Sequence, residues 1–233
     1  MNRVVAPIVL FVVAGLNVDT SQVVVQDVVP KLLQATVEIS VKEKKDDSFS
    51  HVGTGWLYKN QSTIVTAKHV VSGYEASIKN PDGEEETKHT PYNSIRITFS
   101  DGQQIVIDTL KESKTYDVAV LTFDAKKIKK QREPLVFAAR RPKIGSNLFS
   151  AGFPFDYGCL LLMGNVTGWY TEKEGVLAGE YLVTNAMFAP GNSGGPVVNE
   201  QCDVIGMVDW IDMRSASLSF AIPSDAIQKA IKE

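Results

Sequence analysis

From Ala35 onward the chain alternates apolar and polar positions with a period of two. The alternation runs through Ala35-Thr-Val-Glu-Ile-Ser-Val-Lys42, Trp56-Leu-Tyr58, Ser62-Thr-Ile-Val-Thr66, Ser94-Ile-Arg-Ile-Thr-Phe99 and Gln104-Ile-Val-Ile-Asp108. It continues through Val118-Ala-Val-Leu-Thr-Phe123, Tyr181-Leu-Val-Thr184 and Val204-Ile-Gly-Met-Val208. Successive side chains of a strand point to opposite faces, so each segment reads as a short half-buried strand. Many short strands divided by Gly, Asp, Asn and Lys clusters predict an all-β barrel or sandwich. Two helices frame them. Asp27 to Gln34 predicts a short helix leading into the first strand. Pro223-Ser224-Asp225 predicts a closing helix, with Ser224 as its cap and Asp225 complementing the N-terminal dipole.

Two stretches break the pattern. Residues 79–93 are polar, hold Pro81-Asp82-Gly83 and the acids Glu84 to Glu86, and predict an exposed hairpin or loop insertion. Residues 126–143 carry Lys126, Lys127, Lys129, Lys130, Arg132, Arg140, Arg141 and Lys143 with two prolines. They predict a solvated linker between two β halves, 23–130 and 131–233, with a basic patch for an acidic partner as the alternative. Ahead of these, Arg3 precedes a thirteen-residue apolar run from Val4 to Leu16 and then polar residues to Gln22. As a helix the run spans roughly 20 Å against the ~30 Å of a bilayer core, so no stable membrane span is expected. Residues 1–22 fit an export leader, with Ala14 and Gly15 near a possible cut, and imply a secreted or periplasmic protein. A buried N-terminal strand in a cytoplasmic protein is the alternative.

Composition narrows the class. Of 233 residues 44% are hydrophobic and 22% charged, which excludes disorder over most of the length and supplies one large core or two small ones. A net charge of -3 gives no global positive field, so nucleic acid is not an expected partner. Cys159 and Cys202 form no C-x-x-C pair, so neither a zinc ribbon nor a disulfide scaffold is expected, and one pairing in an oxidising compartment stays open.

The chain has three histidines, His51, His69 and His89. His69 follows the apolar strand Thr63-Ile-Val-Thr-Ala67 at its end, where β folds present functional groups. Ala189-Pro-Gly191-Asn-Ser193-Gly-Gly195-Pro196 is a Gly-dense turn between strands with one serine at its centre. Its glycines permit positive φ and bring backbone N–H groups close to a reacting atom. The segment also fits the G-x-S-x-G elbow of α/β-hydrolases, but that fold needs its histidine after the serine and none follows Ser193. The order left is His, Asp, Ser. Asp117 in Tyr116-Asp-Val-Ala-Val-Leu121 stands at the mouth of a strand, where a carboxylate can orient an imidazole and stabilise its cation.

With these residues in view, the chain resembles chymotrypsin-like serine proteases, and most of all their HtrA/Deg branch. The matching pieces are Gly53-Thr-Gly-Trp56, Thr66-Ala-Lys-His69-Val-Val71, Tyr116-Asp117-Val-Ala-Val-Leu121, Gly152-Phe-Pro-Phe155, Gly191-Asn-Ser193-Gly-Gly-Pro196, Val204-Ile-Gly206 and Ser219-Phe-Ala-Ile-Pro223, in family order. The resemblance implies two perpendicular six-stranded antiparallel β-barrels with a short C-terminal helix, and an active site in the cleft between them. It implies a serine endopeptidase acting on polypeptide substrates through an acyl-enzyme, with neither metal nor cofactor. Ser193 would be the nucleophile, His69 the general base and then acid, and Asp117 the orienting carboxylate. The backbone N–H groups of Gly191 and Ser193 would form the oxyanion hole. A protease-like binding module with an idle site is the second reading.

Five departures from the family pattern stand out. Asn192 replaces the aspartate that receives a new N-terminus in digestive relatives, so activation by N-terminal cleavage is not expected. Val70 stands where those relatives place a disulfide cysteine. The sequence ends at Glu233, after the closing helix, so a peptidase domain without the PDZ domain typical of HtrA proteins is expected. Met187, six residues before the nucleophile, lacks the carboxylate that selects basic side chains. With Phe188, Trp210 and Leu218 it predicts an apolar substrate pocket. Asp209 occupies a position where relatives often carry serine beside the triad acid. Two carboxylates that close would raise an apparent pKa of the pair, unless Asp209 turns to solvent.

Overall fold

The computed structural model describes residues 20–43, 48–79, 85–173, 178–212 and 218–233. The expected leader falls largely on residues 1–19, outside the described residues. A helix, α1 (Thr20–Ala35), begins earlier than the pattern predicts and runs through Pro30. The tertiary contact overrides the proline: Val28, Leu32 and Ala35, spaced along one helical stripe, are buried in the core. Among the described residues no helix is long and apolar enough to cross a membrane.

The first sheet comprises β1 (Thr36–Lys42), β2 (Ser50–Leu57) and β3 (Thr63–Thr66), then, beyond the single turn α2 (Lys68–Val71) and the pair β4 (Tyr74–Lys79) and β5 (Glu85–Thr90), β6 (Ser94–Phe99), β7 (Gln104–Val106), β8 (Thr109–Glu112) and β9 (Ala119–Thr122). Its order is β7-β6-β1-β2-β3-β9-β8, a curled seven-stranded sheet whose end strands do not pair with each other. β4 and β5 form a separate two-stranded ladder, of which β5 lies in the polar stretch 79–93 while β4 largely precedes it, so the hairpin begins earlier than expected.

The second unit closes. β10 (Asn147–Gly152), β11 (Leu160–Glu172), β12 (Gly179–Thr184), β13 (Pro196–Val198), β14 (Val204–Ile211) and β15 (Ser219–Pro223) form a six-stranded barrel in the order β10-β11-β12-β15-β14-β13, followed by α3 (Ser224–Lys232). The fold is therefore all-β and chymotrypsin-like. The ladder closes around one barrel and remains a curled half-barrel in the other.

The basic connection is more ordered than a solvated linker would be. Leu135 bridges to Tyr58 and Phe137 to Val204, which ties the segment to both sheets. Arg132 is 5% exposed, with its guanidinium 3.8 Å over the Phe99 ring and 2.6 Å from Asp101. The cysteines are both free thiols, Cys159 half-buried and Cys202 buried, so the disulfide option is not used.

Candidate active site

Three separate elements supply the candidate residues. His69 sits on α2, directly after β3 ends at Thr66. Asp117 belongs to the segment leading from β8 into β9, and Oδ1 accepts the His69 backbone N–H at 2.8 Å while Oδ2 meets His69 Nδ1 at 2.5 Å. This two-point hold places the imidazole proton on Nδ1 and leaves Nε2 for proton exchange. The Asp117 segment is itself pinned. Glu233 accepts from Ser113 Oγ and the Lys114 N–H, both at 2.7 Å, and Lys68 Nζ donates to the Ser113 carbonyl at 3.2 Å.

Ser193 lies in the turn before β13. Asn192 N–H donates to the Ala189 carbonyl, Gly195 N–H to that of Asn192 and Gly194 N–H to that of Val208. Gly191 and Gly194 take φ of +98° and +83°. At Gly194 a Cβ would stand 2.3 Å from the Thr54 carbonyl oxygen, so only glycine fits the approach of the turn to β2. Among the described residues the N–H groups of Gly191 and Ser193 meet no acceptor, so both remain available to a ligand. Ser193 Oγ donates to the Asp209 carbonyl at 3.2 Å and, among the described residues, is not hydrogen-bonded to His69.

Thr54, to which the sequence reading assigned no role, ties this turn to the first sheet. Its N–H donates to the Ser193 carbonyl at 2.9 Å, its hydroxyl donates to the Gly191 carbonyl at 2.7 Å, and the same hydroxyl accepts the Phe153 N–H at 3.1 Å. The one signal in the sequence was a hydroxyl residue between the two glycines of Gly53-Thr-Gly55. His51 is a second neighbour of the turn. Its Nε2 would lie 2.8 Å from a Cβ at Gly191, and its Nδ1 lies 3.5 Å from Glu38.

Asp209 turns inward. Its side chain is 1% exposed and Oδ1 stands 3.8 Å from His69 Nδ1. Burial, with the charge of Asp117 beside it, pushes its carboxyl up to about 8. Burial acts in the same direction on Asp117, but the hydrogen bond and charge of His69 win there and hold it well below the usual carboxylate range. Partial burial would lower His69; the hydrogen bond and charge of Asp117, with the charge of Asp209, outweigh it and raise the ring above its ordinary value.

A cleft of about 300 Å³ is bounded by Phe188, Ala189 and Pro190, by Val208 to Ile211, and by Ser193. Trp210 is stacked on Phe220 with centroids 3.7 Å apart, which stiffens that wall. Of the four expected pocket residues, Phe188 and Trp210 line this cleft. Met187 is 71% and Leu218 38% exposed, and both lie outside the lining. A cavity of about 350 Å³ beside Arg140, Arg141 and Glu200 contains none of the candidate residues. Among the described residues the only cluster able to hold a metal is His69, Asp117 and Asp209, with donor atoms within 4.8 Å of one another. His69 Nδ1 and Asp117 Oδ2 are engaged with each other there.

A closed six-stranded barrel set against a curled sheet, with His, Asp and Ser contributed in that order, defines the chymotrypsin-like class. Residues 53–207 match the model of the trypsin-like peptidase domain, and the chain belongs to that family. It is 28% identical over 182 residues to "Protease Do-like 1, chloroplastic" of Arabidopsis thaliana, covering 75% of this chain and 37% of that protein. It is 27% identical over 221 residues to human "Serine protease HTRA3", covering 90% of this chain and 44% of that protein. The chain thus spans about two fifths of the length of these relatives. Among solved structures, an HtrA-type protease, AlgW with tripeptide, superposes with a TM-score of 0.69 at 21% identity, over 89% of this chain and 62% of that one. A protease from M. tuberculosis in its active form gives 0.70 at 18% identity, over 90% and 85%.

Proposed function

We propose that this chain is a serine endopeptidase in which Ser193, His69 and Asp117 act as nucleophile, base and orienting acid. The observation that carries the reading is the double hold of Asp117 on His69, beside a serine whose turn offers two unpaired N–H groups. Turnover begins with rotation of Ser193 Oγ away from the Asp209 carbonyl toward His69 Nε2. The imidazole takes the hydroxyl proton as Oγ attacks the scissile carbonyl, and Asp117 stabilises the resulting imidazolium. The N–H groups of Gly191 and Ser193 receive the oxyanion, a donor pair of which each member is typically worth about 10²–10³ in turnover. His69 returns the proton to the leaving amine, and water then releases the acyl group by the reverse steps.

Phe188, Val208, Trp210 and Ile211 give the cleft an apolar character, which favours apolar side chains before the cut, with Met187 and Leu218 contacting the substrate further out. Two β units, 23–130 and 131–233, would flank the cleft, and an exported protein fits the apolar leader.

Cleavage-site profiling of an unfolded polypeptide with wild type and Ser193→Ala tests the reading. Cuts after aliphatic or aromatic residues, lost in the variant, are expected. Cuts after Lys or Arg would overturn the pocket assignment. The resting hydrogen bond of Ser193 to Asp209 favours a second reading, a protease-like binding module with a latent site, which absence of cleavage by the folded wild type would bring forward.

A further inference from the structure

The mechanism above leaves the carboxyl of Asp209 without a task, yet this residue lies beside every member of the candidate triad. β14 pairs with β15 in register at Val208↔Ala221 and resumes at Trp210↔Phe220, so Asp209 is the extra residue of a β-bulge. Both faces of β14 are covered from Val204 to Asp209, so the carboxyl at this bulge is buried at 4% exposure. The Asp209 main-chain carbonyl accepts the Ser193 hydroxyl, and Oδ1 reaches to 3.8 Å from His69 Nδ1. Its carboxylate oxygen lies within 4.8 Å of those of Asp117 and the His69 ring nitrogen, while Oδ2 is buried without a hydrogen-bond partner among the described residues. The titratable groups that face it are His69 from α2, Asp117 from the segment before β9, and Tyr181 from β12.

Two carboxyl groups within 4.8 Å, one buried and the other largely so, share one proton, because ionising both places like charges side by side. The two His69 donors, the backbone N–H and Nδ1–H, both go to Asp117, which is best served as the anion. The shared proton therefore resides on Asp209. We propose that protonated Asp209 is a positioning residue that donates its carboxyl proton to Asp117, and that its ionisation adds a second negative charge beside His69 which keeps the imidazole protonated and unable to act as base. The proposal rests on the reading of Ser193 as nucleophile only for its kinetic consequence. Its electrostatic content concerns His69 alone. The raised carboxyl of Asp209 and the raised ring of His69 agree with it in direction.

The test uses the full chain in the Ser193→Ala background, with the His69 Cε1–H signal followed by NMR against pH. His69→Gln identifies that signal among the three histidines. Asp209→Asn keeps the shape and a donor for Asp117 but cannot ionise. His69 is expected to titrate in one narrow step in this variant, whereas with Asp209 present its titration is broadened on the alkaline side, where ionisation of Asp209 holds the ring proton. In the Ser193 enzyme the acid limb of kcat/KM should sharpen in the same way and reach its plateau at lower pH than in the wild type. Asp209→Ser, smaller and equally unable to ionise, should give the same narrow step and serves if Asn fails to fold. Superimposable His69 titrations would overturn the proposal. A wild type that never reacts with a serine-directed inhibitor, yet shows the broadened His69 titration, would refute the peptidase reading and leave the proton assignment standing.

Discussion

Replacing Thr54 with Val separates the hydroxyl from the shape at the point where the first sheet holds the nucleophile turn. Thr54 is fully buried, and its hydroxyl serves the Gly191 carbonyl at 2.7 Å and the Phe153 N–H at 3.1 Å. Valine fills the same volume and leaves both backbone groups without that partner, and each buried orphan costs ~1–3 kcal/mol. The turn can relieve the carbonyl only by rotating the Gly191–Asn192 peptide, which disturbs the Gly191 and Ser193 N–H groups on either side of it. Loss of one oxyanion donor sets the scale, about 10²-fold in kcat with KM little changed, and stability should fall by about 2 kcal/mol. The assays are kcat and KM on a peptide ester, the second-order rate of fluorophosphonate inactivation, and urea denaturation. Thr54→Ser should restore most of the loss. A Thr54→Val enzyme that is destabilised but retains wild-type kcat would refute the argument, as would a Ser variant as impaired as Val.

Three further outcomes follow from the same geometry. Gly191→Ala places a Cβ 2.3 Å from the Phe153 carbonyl oxygen on a backbone with φ +98°, so labelling of Ser193 should be lost, and normal labelling would show that the turn has more room than its contacts allow. Glu233→Ala removes the acceptor for Ser113 and Lys114 beside the Asp117 segment and should lower kcat more than it raises KM; a pure KM effect would contradict a role through Asp117. Folded Asp209 keeps its proton to about 8, whereas the unfolded chain releases it near the ordinary 3.8. Between those values the folded state binds more protons, so wild-type stability should fall with rising pH relative to Asp209→Asn and level off above 8. Urea titrations showing a pH-independent difference would contradict this.

Much of the fold was legible because strand alternation and turn chemistry are local. The strands carrying Thr66, Ala119 and Val204 stand where period two puts them, and the Gly-dense turn, the histidine after a strand and the aspartate before one lie within a few residues of those elements. Closure of the second barrel and the open edge of the first were not legible, because both depend on pairings between distant strands such as β12 with β15. The first helix was expected from Asp27, and only the structure shows it beginning at Thr20, with the buried stripe of Val28, Leu32 and Ala35 holding it through Pro30. The burial of Asp209 could not be read from alternation, since β14 is covered on both faces and its register shifts at this residue. Thr54 stood in the Gly53-Thr-Gly-Trp56 piece with no role of its own. Its value lies in contacts to Gly191 and Phe153, far along the chain.

The central claim is that Ser193 is a nucleophile activated by His69 and Asp117. Intact-mass analysis after fluorophosphonate treatment of wild type, Ser193→Ala and Asp117→Asn tests it most directly. The account predicts one adduct on the wild type, none on Ser193→Ala and strongly slowed labelling of Asp117→Asn. An unlabelled wild type in its folded state, or an adduct that persists in Ser193→Ala, would contradict it.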